Sequence, residues 1–370
     1  RNEVRNLAKK YKFNYEVRPN RGWFKKAGNL RHGFNLSNGE FVVIFDADFT
    51  PRKDFLEELL PYFLENEKIG IVQSPQYFDV HAGQNWLQRG AGAVQELFYR
   101  FCQVSRQNNE ASICVGTNAI YRRTALNDTG GTALIEHSED VHTGFNLRMK
   151  GWQIQYVPVI LAKGLCPSEM KSFFKQQYRW CLGSMSLLSS SKFWKAKMRF
   201  ISRLSYFSGF LYYIHTAISS FFVPVIPLVL LVVYPNQITL QNYYYILPSI
   251  IFIQIIYPIW HDAVYGIEAW STRSIYGWAH FFAILDFMTG KTMSWQASGS
   301  KISNDNRYYA FRTMQVLTNL IPSIIWVALS IHYAYFVSLI NVLPIMIGGL
   351  YFLAITSKVT FYDVFDKNVE

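Results

Sequence analysis

Acidic residues are scarce in this chain. Its 370 residues carry 25 Asp and Glu against 36 Lys and Arg, a net charge of +11, and only 16% of positions are charged. A basic excess suits a phosphate-bearing substrate, anionic lipid or nucleic acid. No RNA- or DNA-binding signature occurs, so nucleic acid is not an expected partner. Cysteine is sparse as well. Cys102, Cys114, Cys166 and Cys181 form no C-x-x-C pair and no zinc pattern, which leaves reduced, cytosolic thiols as the expectation. His81, His137 and His142 match no metal-ligand spacing, and surface or capping roles are expected for them. The sequence opens on Arg1 rather than Met, and no signal peptide is expected within it. The chain opens in helix-like sequence, Arg1-Asn2-Glu3-Val4, so the natural N-terminus is expected upstream.

What the chain does have is apolar sequence, at 50% of positions, and it is unevenly divided. Up to about residue 203 charges, glycines and short apolar runs mix, as in an α/β protein. Phe13–Val17 reads as a strand, Ala27–Asn38 as a helix stopped by Gly39, and Phe41–Phe45 as a buried parallel strand. Lys53–Glu65 reads as helix, Ile69–Gln73 as strand, and Ala82–Gln107 as a long helix or helix pair. Ile113–Tyr121 and Gln153–Val157 follow as strands, with Val141–Lys150 helical. This alternation predicts a doubly wound α/β domain over 1–203. Residues 204–370 predict an all-α transmembrane region of about four spans, since a helix needs about 20 apolar residues to cross a bilayer. The candidates are Tyr206–Tyr234, Tyr243–Trp260, Leu317–Tyr333 and Tyr335–Thr356. Ser274–Met288, which holds His280 and Asp286, reads as an interfacial helix.

Basic residues suggest the orientation. Lys192, Lys195, Lys197, Arg199 and Arg203 precede the first span, and Arg273, Lys291, Lys301, Arg307 and Arg312 lie between the second and third. The short connections Pro235–Leu240 and Ile331–Tyr335 carry no Lys or Arg. The α/β domain, the 273–312 segment and the C-terminus are therefore expected on the cytoplasmic side of an integral membrane protein of the plasma membrane.

Three motifs point to chemistry. Asp46-Ala47-Asp48 follows the Phe41–Phe45 strand, and open α/β sheets bind ligands beyond their strands' carboxyl ends. Two carboxylates there can hold Mg²⁺ or Mn²⁺ on a diphosphate; Asp in such a place also serves turns and helix caps. Ser138-Glu139-Asp140 opens the next helix, with Ser138 as the expected N-cap. Acidic residues in a first turn also answer the helix dipole; the functional reading makes Asp140 a general base toward an acceptor hydroxyl. Gln176-Gln177-Tyr178-Arg179-Trp180 fits Q-x-x-R-W, whose first, fourth and fifth positions share a helix face. Arg179 can grip a diphosphate, Trp180 can stack a sugar and Gln176 can bond hydroxyls, while an interfacial helix with a snorkelling Arg and a belt Trp is the alternative.

In this order, and followed by membrane spans, the three motifs resemble the processive family-2 glycosyltransferases, with cellulose, hyaluronan and chitin synthases among them. Lys26-Ala27-Gly28-Asn29-Leu30 is similar to the K-A-G-N-L segment of the cellulose synthase group. Gln73-Ser74-Pro75-Gln76-Tyr77-Phe78 is similar to its Q-T-P-x-x-F run, and Val115-Gly116-Thr117-Asn118 followed by Tyr121-Arg122-Arg123 to the segment framing the acceptor. The resemblance implies an α/β GT-A (Rossmann-like) fold, a UDP-sugar donor, Mg²⁺ or Mn²⁺, inversion at the anomeric carbon, a growing β-glycan as acceptor, and a polymer channel between the membrane helices. It implies Asp46 and Asp48 at the metal, and Lys26, Asp46, Asp48 and Arg179 at the donor and its phosphates. It implies Asp140 as base with Glu139 shaping the site, and Gln176, Trp180, Gly116 and Thr117 at the acceptor. Trp295–Lys301, within the 273–312 segment, stands where that group carries a gating loop, although it lacks the F-x-V-T-x-K pattern. Val115-Gly116-Thr117 replaces the frequent Cys-Gly-Ser, and the uracil-holding aspartates are expected upstream of Arg1. Two rivals remain: transfer of a single sugar to a lipid carrier, and a catalytically degenerate scaffold or transport protein. The sequence names no sugar and no accessory subunit.

Overall fold

The computed structural model describes residues 2–81, 83–262, 266–293 and 306–365. Among the described residues, seven strands form two sheets. The larger contains β1 (Phe41–Ile44), β3 (Ile69–Gln73), β5 (Ala119–Arg122) and β6 (Gln153–Tyr156), in the order β1-β5-β3-β6. The smaller contains β2 (Phe49–Pro51), β4 (Tyr77–Phe78) and β7 (Ala162–Gly164), in the order β2-β7-β4. In the larger sheet β5 is antiparallel to both β1 and β3, and β3 is parallel to β6. Hence β1, β3 and β6 run one way and β5 is inserted against them.

Every residue of β3 is buried, as suits a central strand covered on both faces. Its side chains alternate between faces. Ile71 packs with Ile44, Tyr121, Leu147 and Ile154, against Leu30 and Phe34 of helix α1 (Lys25–Leu36). Val72 packs with Ile120, Phe55, Leu59 and Phe63 on the other face. The α/β reading of this half is thus borne out, with corrections of detail. Phe41–Phe45 is not a buried parallel strand: β1 is a half-buried edge strand paired antiparallel to β5 alone. Phe13–Val17 is not a strand; its aromatic Phe13 is exposed and finds no sheet to join. Lys53–Glu65 breaks into Phe55–Leu59 and Pro61–Glu65, because Pro61 starts a new helix at its first position. Of Ile113–Tyr121 only the end becomes strand; the earlier part is a loop held by side chains.

Helix α2 (Trp86–Leu97) is capped by Asn85 and Gln88 in a reciprocal box. Helices α3 (Glu139–Met149) and α4 (Met170–Leu188) carry the second and third motifs. Helix α5 (Phe200–Val233) has 34 residues and begins the apolar half. Helix α6 (Ile267–Thr289) lies at the junction and packs on α4, α5 and α2. Helices α7 (Asn306–Phe336) and α8 (Leu339–Thr360) pack on each other.

Three of these helices, α5, α7 and α8, are long and apolar enough to cross a membrane. Phe222, Ile226, Val232, Ile324, Ile340 and Ile347 stand exposed along them, which suits lipid rather than water. The expected span Tyr243–Trp260 is shorter than predicted. Its apolar helical run is Leu247–His261, which reaches roughly 22 Å at 1.5 Å per residue, short of a hydrocarbon core of about 30 Å. Pro248 stands in its first turn, and a π-helical turn at Phe252–Ile256 followed by Pro258 lies within it. Ser274–Met288 falls within α6, which is not among the three. Trp295–Lys301 lies outside the described residues.

Candidate active site

Strand polarity gathers the motifs. The carboxyl ends of β1, β3 and β6 meet the start of β5 at one edge of the large sheet, so the segments leaving them converge there. Ile44 pairs with Ala119, and the same register carries Asp46 beside Thr117. The Asp46 backbone N–H donates to Thr117 Oγ1 at 2.8 Å. Thr117 is fully buried, and its hydroxyl holds the Asp46 turn.

Lys26 enters from the first turn of α1. Phe24 and Lys25 have φ of 44° and 45°, a left-handed turn that costs non-glycine residues energy. Buried Arg18 braces it, donating to the carbonyls of Trp23 and Lys25, the latter at 3.0 Å. Sequence reading does not single out Arg18, because nothing local announces its burial. The Lys26 ammonium lies 2.6 Å from Asp46 Oδ1, donates to the Gly116 carbonyl at 3.2 Å and stands 3.9 Å from Glu139 Oε1. Burial alone would depress its pKa. The carboxylates of Asp46, Glu139 and Asp140 more than offset this and hold it above the ordinary value.

The second motif differs from its expected form. Ser138 is left-handed at φ 53° and its side chain makes no capping bond. It is committed to packing instead: a Cβ built on Gly183 of α4 would lie 1.8 Å from Ser138 Oγ. Glu139 is buried, and Asp140 is half-buried with Oδ1 accepting from the Val141 N–H at 2.8 Å. Burial pushes both carboxyls above their usual range. Asp140's charge raises Glu139 further, while Lys26 draws both back down. Gly116 has φ +74°, and a Cβ there would sit 2.6 Å from Asp140 Oδ2. Backbone without a side chain is therefore what lets this loop lie against Asp140.

Helix α4 places Gln176, Arg179 and Trp180 on one face, each half-buried. Burial lowers the Arg179 pKa and the carboxylate of Asp46 pulls it back up, so the guanidinium senses the same aspartate as Lys26. Gln176 Oε1 is buried without a hydrogen-bond partner among the described residues. On another face, Tyr178 donates to Asp286 Oδ2 at 2.9 Å and accepts from the Met293 N–H at 3.1 Å. Arg307 Nε donates to the same Oδ2 at 3.0 Å, so α4 is fixed to α6 and α7.

Buried polar residues behind the site keep the loops in place. Gln73 donates to the Ile113 carbonyl at 2.7 Å and accepts from the Val115 N–H at 3.1 Å. Asn118, at φ 53°, donates to the Pro75 carbonyl at 3.1 Å. Tyr99 reaches Gln76 at 2.8 Å, and Gln76 donates to the Val115 carbonyl at 2.6 Å. Asp48 is exposed beyond β1 and makes no ion pair among the described residues.

The geometry joins Lys26, Asp46, Gly116, Glu139 and Asp140 in one cluster, with Arg179 facing it. Among the described residues no three His, Cys, Asp or Glu side chains form a metal cage. Two carboxylates, Asp46 and Asp48, still suit a hard cation that takes its other oxygens from phosphate and water. Lys and Arg beside them suit a diphosphate, and a half-buried carboxylate suits proton removal.

The family model described as "Glycosyl transferase family group 2" matches residues 41–261. The chain is 32% identical over 196 residues to a "Cellulose synthase catalytic subunit [UDP-forming]" of Xanthomonas axonopodis pv. citri (strain 306), covering 50% of this chain and 25% of that protein. It is 33% identical over 189 residues to "Probable glucomannan 4-beta-mannosyltransferase 6" of Oryza sativa subsp. japonica, covering 49% and 32%. The matched part is thus a third or less of either relative. A solved structure of a mannosyltransferase of Pyrobaculum calidifontis, described as in complex with GDP-Man and Mn²⁺, matches with a TM-score of 0.49 at 17% identity, covering 79% of this chain and 74% of that one.

Proposed function

Because the chain belongs to glycosyl transferase family group 2, related in sequence to cellulose synthases and glucomannan mannosyltransferases, we propose that it transfers hexose units, with inversion, from a nucleoside-diphosphate sugar to the end of a growing β-glycan. One observation carries this reading. The Lys26 ammonium contacts Asp46, the Gly116 carbonyl and Glu139, so the donor-side and base-side motifs stand within one side chain's reach. Residues 1–203 form the catalytic GT-A unit in this reading, and 204–370 the membrane region.

Lys26 and Arg179 bind the donor's phosphates. Mg²⁺ or Mn²⁺, which Asp46 and Asp48 would hold, neutralises the diphosphate when bound. Asp140 accepts the proton of the acceptor hydroxyl as its oxygen bonds to the anomeric carbon; the bond from that carbon to the diphosphate oxygen breaks and the nucleoside diphosphate leaves. Burial that raises the Asp140 pKa makes its carboxylate a stronger base. Glu139 holds Lys26 in register. The unpartnered Gln176 Oε1 is placed to accept from a sugar hydroxyl, and Trp180 offers a ring for stacking. Gly116 lets the acceptor loop approach Asp140, and Thr117 acts through Asp46.

A UDP-sugar is favoured by the motif resemblance, and the bacterial relative's name as a UDP-forming enzyme supports it. The basic residues ahead of α5 support a cytoplasmic catalytic domain at the plasma membrane. The test is a labelled-sugar transfer assay on membranes bearing the full-length protein. UDP-glucose, UDP-N-acetylglucosamine and GDP-mannose are each offered with Mg²⁺ or Mn²⁺, and the product is sized. A long polymer from one donor is expected. A single lipid-linked sugar would establish the lipid-carrier rival, and no transfer from any donor would favour the scaffold reading.

A further inference from the structure

A cavity of about 130 Å³ lies away from the catalytic cluster, where the α/β domain meets the first membrane helix. It is lined by Glu110, Arg148, Met149, Lys197, Arg199 and Ser202, among others. Three cations and one carboxylate line it, a net excess of two positive charges. Glu110 stands 3.7 Å from Arg148 and 3.4 Å from Arg199, so one acid holds both guanidinium groups at the cavity wall. Lys197 makes no ion pair among the described residues. Arg199 is the N-cap of α5, whose positive dipole end adds to the field. Arg106, buried and without a carboxylate partner among the described residues, lies against Gly209 on the same helix.

We propose that this cavity binds the phosphate of an anionic lipid headgroup. The excess charge matches a phosphodiester, and the paired guanidiniums with Lys197 supply charge-assisted donors. A membrane source is favoured by position. Trp194 and Phe200 flank the cavity segment and are 50% and 81% exposed; an exposed Trp belongs at the level of lipid headgroups, and Phe200 adds apolar surface beside it. One of the three described helices long and apolar enough to cross a membrane begins there. The proposal is independent of which sugar the enzyme transfers.

The test uses the full-length protein, delipidated in a neutral detergent and titrated with phosphatidylglycerol, phosphatidylcholine or inorganic phosphate, with bound lipid read by native mass spectrometry. Phosphatidylglycerol is expected to bind and phosphatidylcholine not. Lys197→Gln and Arg199→Gln should each weaken retention about fivefold, the size expected for one basic residue at a lipid surface. The control pair, Lys192→Gln with Lys195→Gln, removes exposed cations from the same stretch that do not line the cavity, and should leave retention unchanged. Equal loss from both pairs would overturn the proposal in favour of diffuse surface charge. Equal binding of phosphatidylcholine, or displacement of the lipid by inorganic phosphate alone, would overturn the anionic-lipid assignment.

Discussion

Replacing Gly116 by alanine tests whether the loop at the start of β5 really sets the position of Asp140. The new Cβ would lie 2.6 Å from Asp140 Oδ2, 2.9 Å from its Cβ and 3.0 Å from its Cγ. To reach ordinary contact at 3.4 Å the carboxylate must retreat by about 0.8 Å, and a 1 Å misplacement of a reacting group costs about 100-fold in rate. The backbone adds its own term. At φ +74° an L-residue is strained by about 1–2 kcal/mol, and the overpacking adds about 1–3 kcal/mol. The expected outcome is a fall of about 100-fold in transfer rate together with a lower melting temperature. Gly130→Ala separates the two effects: its φ is +71°, yet nothing lies within 4 Å of the added Cβ. That variant should be strained by a similar amount and keep its transfer rate within about twofold. Both are measured as sugar transfer per folded protein in membranes, with thermal unfolding in detergent alongside. If Gly116→Ala kept a third or more of the parent rate, the close approach of this loop to Asp140 would have no catalytic consequence.

Asp140→Asn should lower transfer about 100- to 10,000-fold while donor retention changes little; full activity would remove Asp140 from the base role. Because burial raises the Asp140 carboxyl, the acid limb of the rate profile should lie above the ordinary aspartate value near 3.9. Activity is then lost as pH falls through that raised pKa, and a limb at or below the ordinary value would contradict the burial argument. Asp286→Ala leaves the Arg307 guanidinium and the Tyr178 hydroxyl without their shared acceptor. Since Arg307 is partly exposed, the loss should be about 1–3 kcal/mol, below the value for a fully buried pair; an unchanged melting temperature would show that this network does not fix α4. Chelation with EDTA should abolish transfer, and Mn²⁺ or Mg²⁺ should restore it in the parent but not in Asp48→Ala.

The split into an α/β half and an apolar helical half was legible in the sequence because hydrophobic period and run length are local properties. Ile69–Gln73 was found as a strand since Ile69, Ile71 and Val72 form a short apolar run ended by the polar Gln73. The long helix at Phe200–Val233 was found since no charge interrupts it beyond Arg203. The three motifs were legible as residue types at fixed spacing, and Q-x-x-R-W lies on one helix face as its spacing requires. Strand direction was not legible. Phe41–Phe45 reads as a buried parallel strand, but β5 inserts antiparallel between β1 and β3, and only pairing between segments far apart in the chain decides that. For Tyr243–Trp260 composition counts apolar residues, whereas the folded chain shows an apolar helix only over Leu247–His261, and helix length is not legible from composition.

Sequence alone thus determined which side chains were available for chemistry and which stretches could lie in lipid. Tertiary structure decided what they do to one another. Ser138 gives its hydroxyl to packing against Gly183 rather than to a cap, Thr117 holds the turn at Asp46, and Arg18 is buried to bring Lys26 between Asp46 and Glu139. The first two depend on contacts between segments far apart in the chain, and the Arg18 bonds, though short in sequence, bring Lys26 to the distant Glu139; burial and charge are shared there, and no local pattern encodes such sharing.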